Sequence, residues 1–107
     1  AYKVMMNYLD GREILPEALI AASDAVVPGV LKALGEKGID VPGSMGIVSF
    51  NNTSFSEFAS PPVSSIEVML RENAKSAVMC MHMLWSGMRN CKKIVVPCTL
   101  VDRGSVV

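Results

Sequence analysis

Two short polar segments, Ser23-Asp24 and Asn51-Asn52, each follow an apolar run and carry side chains that could bind a ligand. A side-chain amide both donates and accepts hydrogen bonds, so the two asparagines could read the hydroxyl groups of a hydroxylated molecule. Asp24 could instead be a phosphoacceptor carboxylate, but no second acidic residue stands beside it to hold a divalent metal. The residue types therefore favour binding over catalysis.

Both segments also have a structural explanation. Ser23 or Asp24 before a helix is typical of an N-cap, which stabilises a helix start by about 1 kcal/mol whatever the function. From the residues alone the cap is favoured over a ligand role there. Asn51-Asn52 could likewise form an Asx-type turn after a strand.

The segment 18–50, which positions these residues, predicts a strand over 18–22, a helix over 24–37 and a second strand over 45–50. A strand–helix–strand unit of this size implies parallel strands and a right-handed crossover. Both polar segments would then lie just past the carboxyl ends of strands, where open α/β sheets bind ligands. The helix is predicted from apolar residues at helical spacing: Val26, Val27, Val30, Leu31 and Leu34.

The remaining chain predicts two further helices and three further strands, which makes the fold class α/β with a parallel sheet flanked by helices. Pro97, between the last two strands, indicates an edge or a bend. The long helix predicted over 70–88 carries many methionines. Methionine side chains fill irregular gaps, so the apolar stripe of this helix predicts a core or interface face. These helices cover 2–9 and 70–88, and the strands cover 63–68, 94–97 and 99–102.

The composition limits the classes of protein. At 107 residues the chain is one small domain or part of a larger one. A hydrophobic fraction of 50% and a mean hydropathy of +0.37 are high, so apolar surface must be covered on both sheet faces or against another segment or chain. Ten basic and ten acidic residues balance, which argues against a nucleic-acid-binding surface. No apolar run of about 18 residues is present, so we expect no membrane span.

Catalytic, cofactor and metal motifs are absent from the sequence: there is no Gly-rich phosphate loop, no G-x-S-x-G and no H-E-x-x-H. A single histidine, His82, excludes a multi-histidine metal site within this chain. Three cysteines without metal-ligand spacing favour a reducing cytoplasm. We therefore expect a cytoplasmic binding protein with no cofactor and no metal, and not an enzyme.

Several segments, taken together in their order and spacing, resemble the C-terminal part of the LacI/GalR family of bacterial transcriptional regulators. The resemblance spans about 18–105, and the wording Ser-Phe-Asn-Asn at 49–52 is similar to the branch of maltose- and maltodextrin-operon repressors. The segments that carry it are 21–24 (AASD), 29–34 (GVLKAL), 38–42 (GIDVP), 46–52 (GIVSFNN), 60–66 (SPPVSSI) and 96–103 (VPCTLVDR).

The resemblance implies that residues 1–107 are the C-terminal part of a ligand-binding and dimerisation domain with a periplasmic-binding-protein-like fold. Such a domain has two α/β subdomains with a small effector between them, and we expect a sugar such as maltose or a maltodextrin. The effector would control how a homodimer holds operator DNA through an N-terminal head that this chain lacks, with no membrane partner. Val68 and Met69 would lie near a crossover between the subdomains.

Family ligand positions carry over to Ser23, Asp24, Asn51 and Val68. Ser23 stands where the family has a short polar residue facing the effector, and Asp24 follows as the helix-starting acid. Asn51 stands where many members have an aspartate that binds sugar hydroxyls or a base. Val68 stands where some sugar-binding members have a polar residue, and valine cannot make that hydrogen bond.

The resemblance also implies a dimer interface, expected at Ala25 and Pro28 in the first turns of the 24–37 helix and at Phe55 and Phe58. From the residues alone the two phenylalanines could equally be core residues. Two other classes stay open. One is a solute-binding protein of the same fold that serves transport, and the other is an α/β enzyme or phosphoacceptor centred on Asp24.

Overall fold

A four-stranded sheet with helices beside it forms the fold of the computed structural model, which describes residues 1–90 and 93–107. Cys91 and Lys92 lie outside the described residues. The elements in chain order are α1 (Tyr2–Leu9), β1 (Ala18–Ile20), a 3₁₀ turn (Asp24–Val26), α2 (Val27–Glu36), β2 (Gly46–Phe50), α3 (Ser54–Glu57), β3 (Ser64–Glu67), α4 (Leu70–Trp85) and β4 (Thr99–Val101).

The strands lie in the order β1-β2-β3-β4. The first three are parallel, with Ile20 opposite Val48 and Val48 opposite Ser64. This confirms the parallel strand–helix–strand unit, and it brings the carboxyl ends of three strands to one edge. β4 runs antiparallel to β3, with Ser65 opposite Val101, so the sheet is predominantly rather than wholly parallel.

The core lies where α1 and α2 pack together and against the sheet. Gly29 makes the close approach possible, because a Cβ there would lie only 2.9 Å from the backbone nitrogen of Tyr2. The apolar positions of α2 repeat at helical spacing and point inward. The buried apolar side chains include Met5, Leu9, Val27, Val30, Ala33, Leu34, Met45, Ile47 and Val63.

The helix expected over 24–37 begins differently. A 3₁₀ turn over Asp24–Val26 precedes the α-helix, which starts at Val27 and carries Pro28 in its first turn. Proline has no N–H to donate, so it is tolerated where the first amides of a helix have no internal partner. Ser23 is the N-cap, and its Oγ accepts a hydrogen bond from the backbone N–H of Ala25 at 3.4 Å.

The strand predicted over 94–97 is wrong, since those residues are not in a strand and Val95 is 73% exposed. A strand needs a neighbour for its backbone hydrogen bonds, and Pro97 lacks a donor.

The apolar stripe of α4 is not a core face in the described part of the chain, because α4 buries none of its residues. Among the described residues, no helix is long and apolar enough to cross a membrane.

Candidate functional site

The polar residues at the carboxyl edge of the parallel strands form one connected cluster. Asn51 donates a hydrogen bond from Nδ2 to Ser23 Oγ at 3.2 Å, which joins the two segments singled out in the sequence. Ser23, Asn51 and Val68 are all half-buried. The structure thus brings Ser23 and Asn51 into direct contact, and it places Val68 just after the end of the neighbouring strand β3.

Asp24 lies beneath this edge and is completely buried. Its Oδ1 accepts hydrogen bonds from Ser49 Oγ at 2.5 Å and from Ser65 Oγ at 2.8 Å. Its Oδ2 accepts from Ser56 Oγ at 2.9 Å and from the backbone N–H of Thr53. One carboxylate therefore ties the end of β1 to β2, to β3 and to the start of α3.

The ionised form of Asp24 is favoured by these contacts. Burial raises the pKa of the carboxyl group, but the hydrogen bonds from Ser49, the Thr53 N–H, Ser65 and Ser56 lower it, and the resulting pKa lies below the ordinary value of 3.8. Because both oxygens are occupied and none is exposed, Asp24 supports the site from below. Direct contact between Asp24 and a ligand stays a prediction.

The loop after β2 has an unusual backbone. Asn51 has φ +95° and Asn52 has φ +49°, a region that asparagine tolerates better than other non-glycine residues. The backbone N–H of Asn52 donates to Ser65 Oγ at 3.0 Å. The side-chain oxygen of Asn52 accepts from Arg103 Nη2 at 2.7 Å, and its Nδ2 donates to Glu67 Oε2 at 2.9 Å. Tertiary contacts therefore hold the loop that presents Asn51.

Arg103 and the buried serines are site-building residues that the sequence analysis missed. Arg103 follows β4 and also donates from Nη1 to the carbonyl oxygen of Val63 at 3.1 Å. The signal for the serines was hydroxyl groups inside otherwise apolar strands, at positions 49, 64 and 65. For Arg103 the signal was a charged pair directly after the last strand.

Asp102, beside Arg103, is held in a similar way at the surface. Its Oδ1 accepts from the backbone N–H of Gly104 and from Ser64 Oγ, both at 2.9 Å. The Gly104 amide, the Ser64 hydroxyl and the Arg103 amide lower the pKa of Asp102 against an opposing effect of burial. The C-terminal segment is thereby fastened to β3.

The residues expected at a dimer interface are exposed. Phe55 and Phe58 on and after α3 are 53% and 80% exposed, so the alternative that they are core residues is wrong. Ala25 and Pro28 are exposed as well. Pro28, Phe55 and Phe58 line one groove between α2 and α3. An interface there stays a prediction.

The described part of the edge cluster does not resemble a metal site. In the ranges 1–90 and 93–107 no group of three or more histidine, cysteine, aspartate or glutamate side chains could hold a metal ion. The cluster at the carboxyl edge consists instead of hydroxyl groups, side-chain amides and charged groups that hydrogen-bond to one another. It is suited to hydrogen bonding with a small polar molecule.

The fold agrees with a match to known proteins. The family model described as periplasmic binding protein-like domain matches residues 2–106. The chain therefore belongs to the periplasmic binding protein-like domain family.

Its relatives in sequence are bacterial regulators. The chain is 35% identical over 107 residues to the HTH-type transcriptional regulator GanR of Bacillus subtilis (strain 168), covering 98% of this chain and 32% of that protein. It is 36% identical over 104 residues to the HTH-type transcriptional repressor MelR of the same organism, covering 97% of this chain and 30% of that protein. The chain thus spans about a third of the length of these relatives. The resemblance to LacI/GalR regulators is confirmed at this level, and the maltose branch is not.

Solved structures show the same fold. A crystal structure described as a transcriptional regulator LacI from Bacillus cereus subsp. cytotoxis NVH 391-98 superposes with a TM-score of 0.83 at 34% identity, covering 95% of this chain and 36% of that one. The lac repressor dimer bound to operator and the anti-inducer ONPF superposes with a TM-score of 0.86 at 24% identity, covering 99% and 37%. The expected periplasmic-binding-protein-like α/β fold is confirmed.

Proposed function

We propose that residues 1–107 are the C-terminal part of the effector-binding and dimerisation domain of a LacI-type transcriptional repressor. The repressor would sense a small metabolite, which we expect to be a sugar. Binding of the sugar would control the affinity for operator DNA of an N-terminal DNA-binding head outside this chain. The observation that carries the proposal is the half-buried Ser23–Asn51 pair, set at the carboxyl edge of the parallel strands by a buried, fully hydrogen-bonded Asp24. The protein would be a cytoplasmic binder and not an enzyme.

The chemistry of the edge suits a neutral, hydroxyl-rich effector. Asn51 and Ser23 are uncharged, and within the described residues the Asn51 side-chain oxygen accepts no hydrogen bond, so it can accept one from a hydroxyl group. The negative charge of Asp24 is already compensated by its four donors. The guanidinium of Arg103 is likewise engaged by Asn52 and Val63. The two side chains proposed to contact the effector, Ser23 and Asn51, thus offer hydrogen bonds but no charge.

The effector would act through a shift between two arrangements of the domain. An effector moves such an equilibrium only by the difference in its affinity for the two states. The two-residue link at 68–69 joins β3, which borders the site, to α4, whose apolar side chains are exposed here. We propose that α4 belongs to the other subdomain, whose remaining parts would cover those side chains. The effector would then bind between the two.

Calorimetry on the full-length natural polypeptide tests this function. The panel contains maltose, maltotriose, galactose and melibiose, and the variant Asn51→Ala is compared with Asn7→Ala, an exposed asparagine on α1. We expect saturable binding of one sugar, weakened about tenfold in Asn51→Ala by loss of hydrogen bonds and unchanged in Asn7→Ala. Absence of heat with every sugar would remove the effector class.

Operator binding separates a regulator from a transport protein of the same fold. The full-length polypeptide should bind operator-containing DNA in a mobility-shift experiment, and the sugar that binds in calorimetry should change that affinity. Sugar binding without any DNA binding would favour a solute-binding protein instead.

A further inference from the structure

Glu67, the last residue of β3, makes two hydrogen bonds that lead in different directions. Its Oε2 accepts from Asn52 Nδ2 at 2.9 Å, and its Oε1 accepts from the backbone N–H of Met69 at 3.0 Å. One carboxylate therefore contacts both the loop that presents Asn51 and the link that leads into α4. Neither contact was expected from the sequence.

The two contacts hold backbone that would otherwise relax. Asn51, Asn52 and Met69 are the three non-glycine residues with positive φ among the described residues, at +95°, +49° and +51°. Such conformations persist only where the surroundings enforce them. Glu67 bonds directly to two of these three residues, so it stabilises the loop and the link together.

The Asn52 amide is oriented by opposite charges on its two sides. Its oxygen faces the Arg103 guanidinium at 2.7 Å, and its nitrogen faces the Glu67 carboxylate at 2.9 Å. Hydrogen bonds to charged groups are stronger than those between neutral groups. The amide is therefore a rigid bridge between Arg103, which is fastened to β3, and Glu67, which is fastened to the link.

The direction of α4 depends on that link. Within the described residues α4 buries no side chain, so packing does not set its orientation. The helix begins directly after Met69, and Asn73 Nδ2 donates back to the carbonyl oxygen of Val68 at 2.5 Å. The hydrogen bond from Met69 to Glu67 is thus placed where a small rotation of the backbone would swing the whole helix.

We propose that Glu67 is a positioning residue that couples the effector loop to the orientation of α4. A ligand that binds Asn51 and displaces it would also displace the neighbouring Asn52. The Glu67 carboxylate, which is bonded to Asn52 Nδ2 and to the Met69 N–H, would then move the backbone at Met69. The coupling rests on the proposed function, because it needs Asn51 to contact the effector. The hydrogen bonds that join the loop to the helix start do not depend on that assumption.

Amide hydrogen exchange on the effector-free, full-length polypeptide tests the link directly. The variants are Glu67→Gln, Asn52→Ala and the matched control Glu57→Gln, an exposed glutamate on α3. We expect Glu67→Gln to speed exchange at residues 51–53 and at Met69 together, each by about tenfold, as for loss of one charge-assisted hydrogen bond. Glu57→Gln should leave both rates unchanged.

Asn52→Ala is the decisive variant, because it leaves both Glu67 and the Met69 N–H in place. Coupling predicts faster exchange at Met69 in this variant as well. If Asn52→Ala speeds exchange only in the loop, or if Glu67→Gln affects one side only, the coupling is refuted.

Calorimetry with maltose, maltotriose, galactose and melibiose separates this coupling from the function. We expect Glu67→Gln to weaken sugar binding about fivefold, and Glu57→Gln to leave it unchanged. If the wild type binds none of these four sugars, the proposed effector class fails, and the exchange rates still decide on the coupling. If the wild type binds and Glu67→Gln binds equally well, Glu67 does not position the effector loop.

Discussion

Ser49 on β2 donates a 2.5 Å hydrogen bond to Oδ1 of Asp24, a carboxylate with no exposed surface. This contact joins the middle of the sheet to the start of the first crossover helix. Together with Ser56, Ser65 and the Thr53 amide it makes Asp24 the centre of the polar edge. The site is therefore built on a buried charge. We expect loss of this charge to affect the free energy of unfolding more strongly than the affinity for a ligand.

Replacing Asp24 by asparagine should destabilise the fold by about 2–4 kcal/mol, because the new NH₂ group would face donors and leave them unsatisfied. Urea unfolding followed by circular dichroism measures the difference. The control is Asp40→Asn, an exposed aspartate that should cost much less. Equal losses in the two variants would contradict the buried role of Asp24.

Acid should remove the contribution of the ionised Asp24 to the stability of the fold over a defined pH range. Its pKa in the folded state is lowered from the ordinary 3.8. Its stabilisation is therefore complete above that ordinary, unfolded-state pKa and is lost as the pH falls through the lower folded-state pKa. Asp102, with a pKa lowered in the same direction, adds to the effect. Unfolding free energies measured from about pH 6 to about pH 2.5 should fall more steeply in the wild type than in Asp24→Asn. Parallel curves would be inconsistent with a lowered pKa for Asp24.

A carboxylate at position 52 should conflict with Glu67. In Asn52→Asp one oxygen would still face Arg103, but the other would face the Glu67 carboxylate where a donor now stands. We expect a loss of about 1 kcal/mol that shrinks when Glu67→Gln is added, since the glutamine can donate. A double-mutant cycle by urea unfolding measures this. Strict additivity of the two changes would argue against the bridge.

Two glycines of α2 should respond in opposite ways to alanine. At Gly29 a Cβ would meet the Tyr2 backbone nitrogen at 2.9 Å, so Gly29→Ala should push α1 away and cost about 1–3 kcal/mol. At Gly35 no heavy atom lies within 4 Å of such a Cβ, so Gly35→Ala should stabilise the helix by about 0.5–1 kcal/mol. Thermal melting compares the two. A harmless Gly29→Ala would show that the packing of α1 on α2 is loose.

The exposed phenylalanines test the expected dimer. Phe58→Ser should shift the full-length polypeptide toward monomer, because burying an exposed phenylalanine in an interface contributes about 1.5–3 kcal/mol. Sedimentation velocity over a range of concentrations measures the association constant. Ile14→Ser, which removes an 86% exposed side chain elsewhere, is the control. An unchanged association constant in Phe58→Ser would indicate that the dimer interface does not include Phe58.

Local patterns were enough to predict several elements. The helix α1 runs over the predicted residues 2–9, and the parallel strand–helix–strand unit is present. These features follow from hydrophobic periodicity and from the geometry of a crossover connection, which involve neighbours along the chain. The expectation that Ser23 and Asn51 lie at one edge needed only the direction of the strands.

The partners of Asp24, Asn52 and Glu67 were decided by tertiary contacts. Asp24 meets serines 25, 32 and 41 residues away, and Arg103 reaches Asn52 across 51 residues. No local sequence pattern predicts which distant hydroxyl or guanidinium group will hydrogen-bond to a given side-chain oxygen. The failed strand at 94–97 has the same cause, since an apolar segment becomes a strand only where another strand supplies its backbone hydrogen bonds.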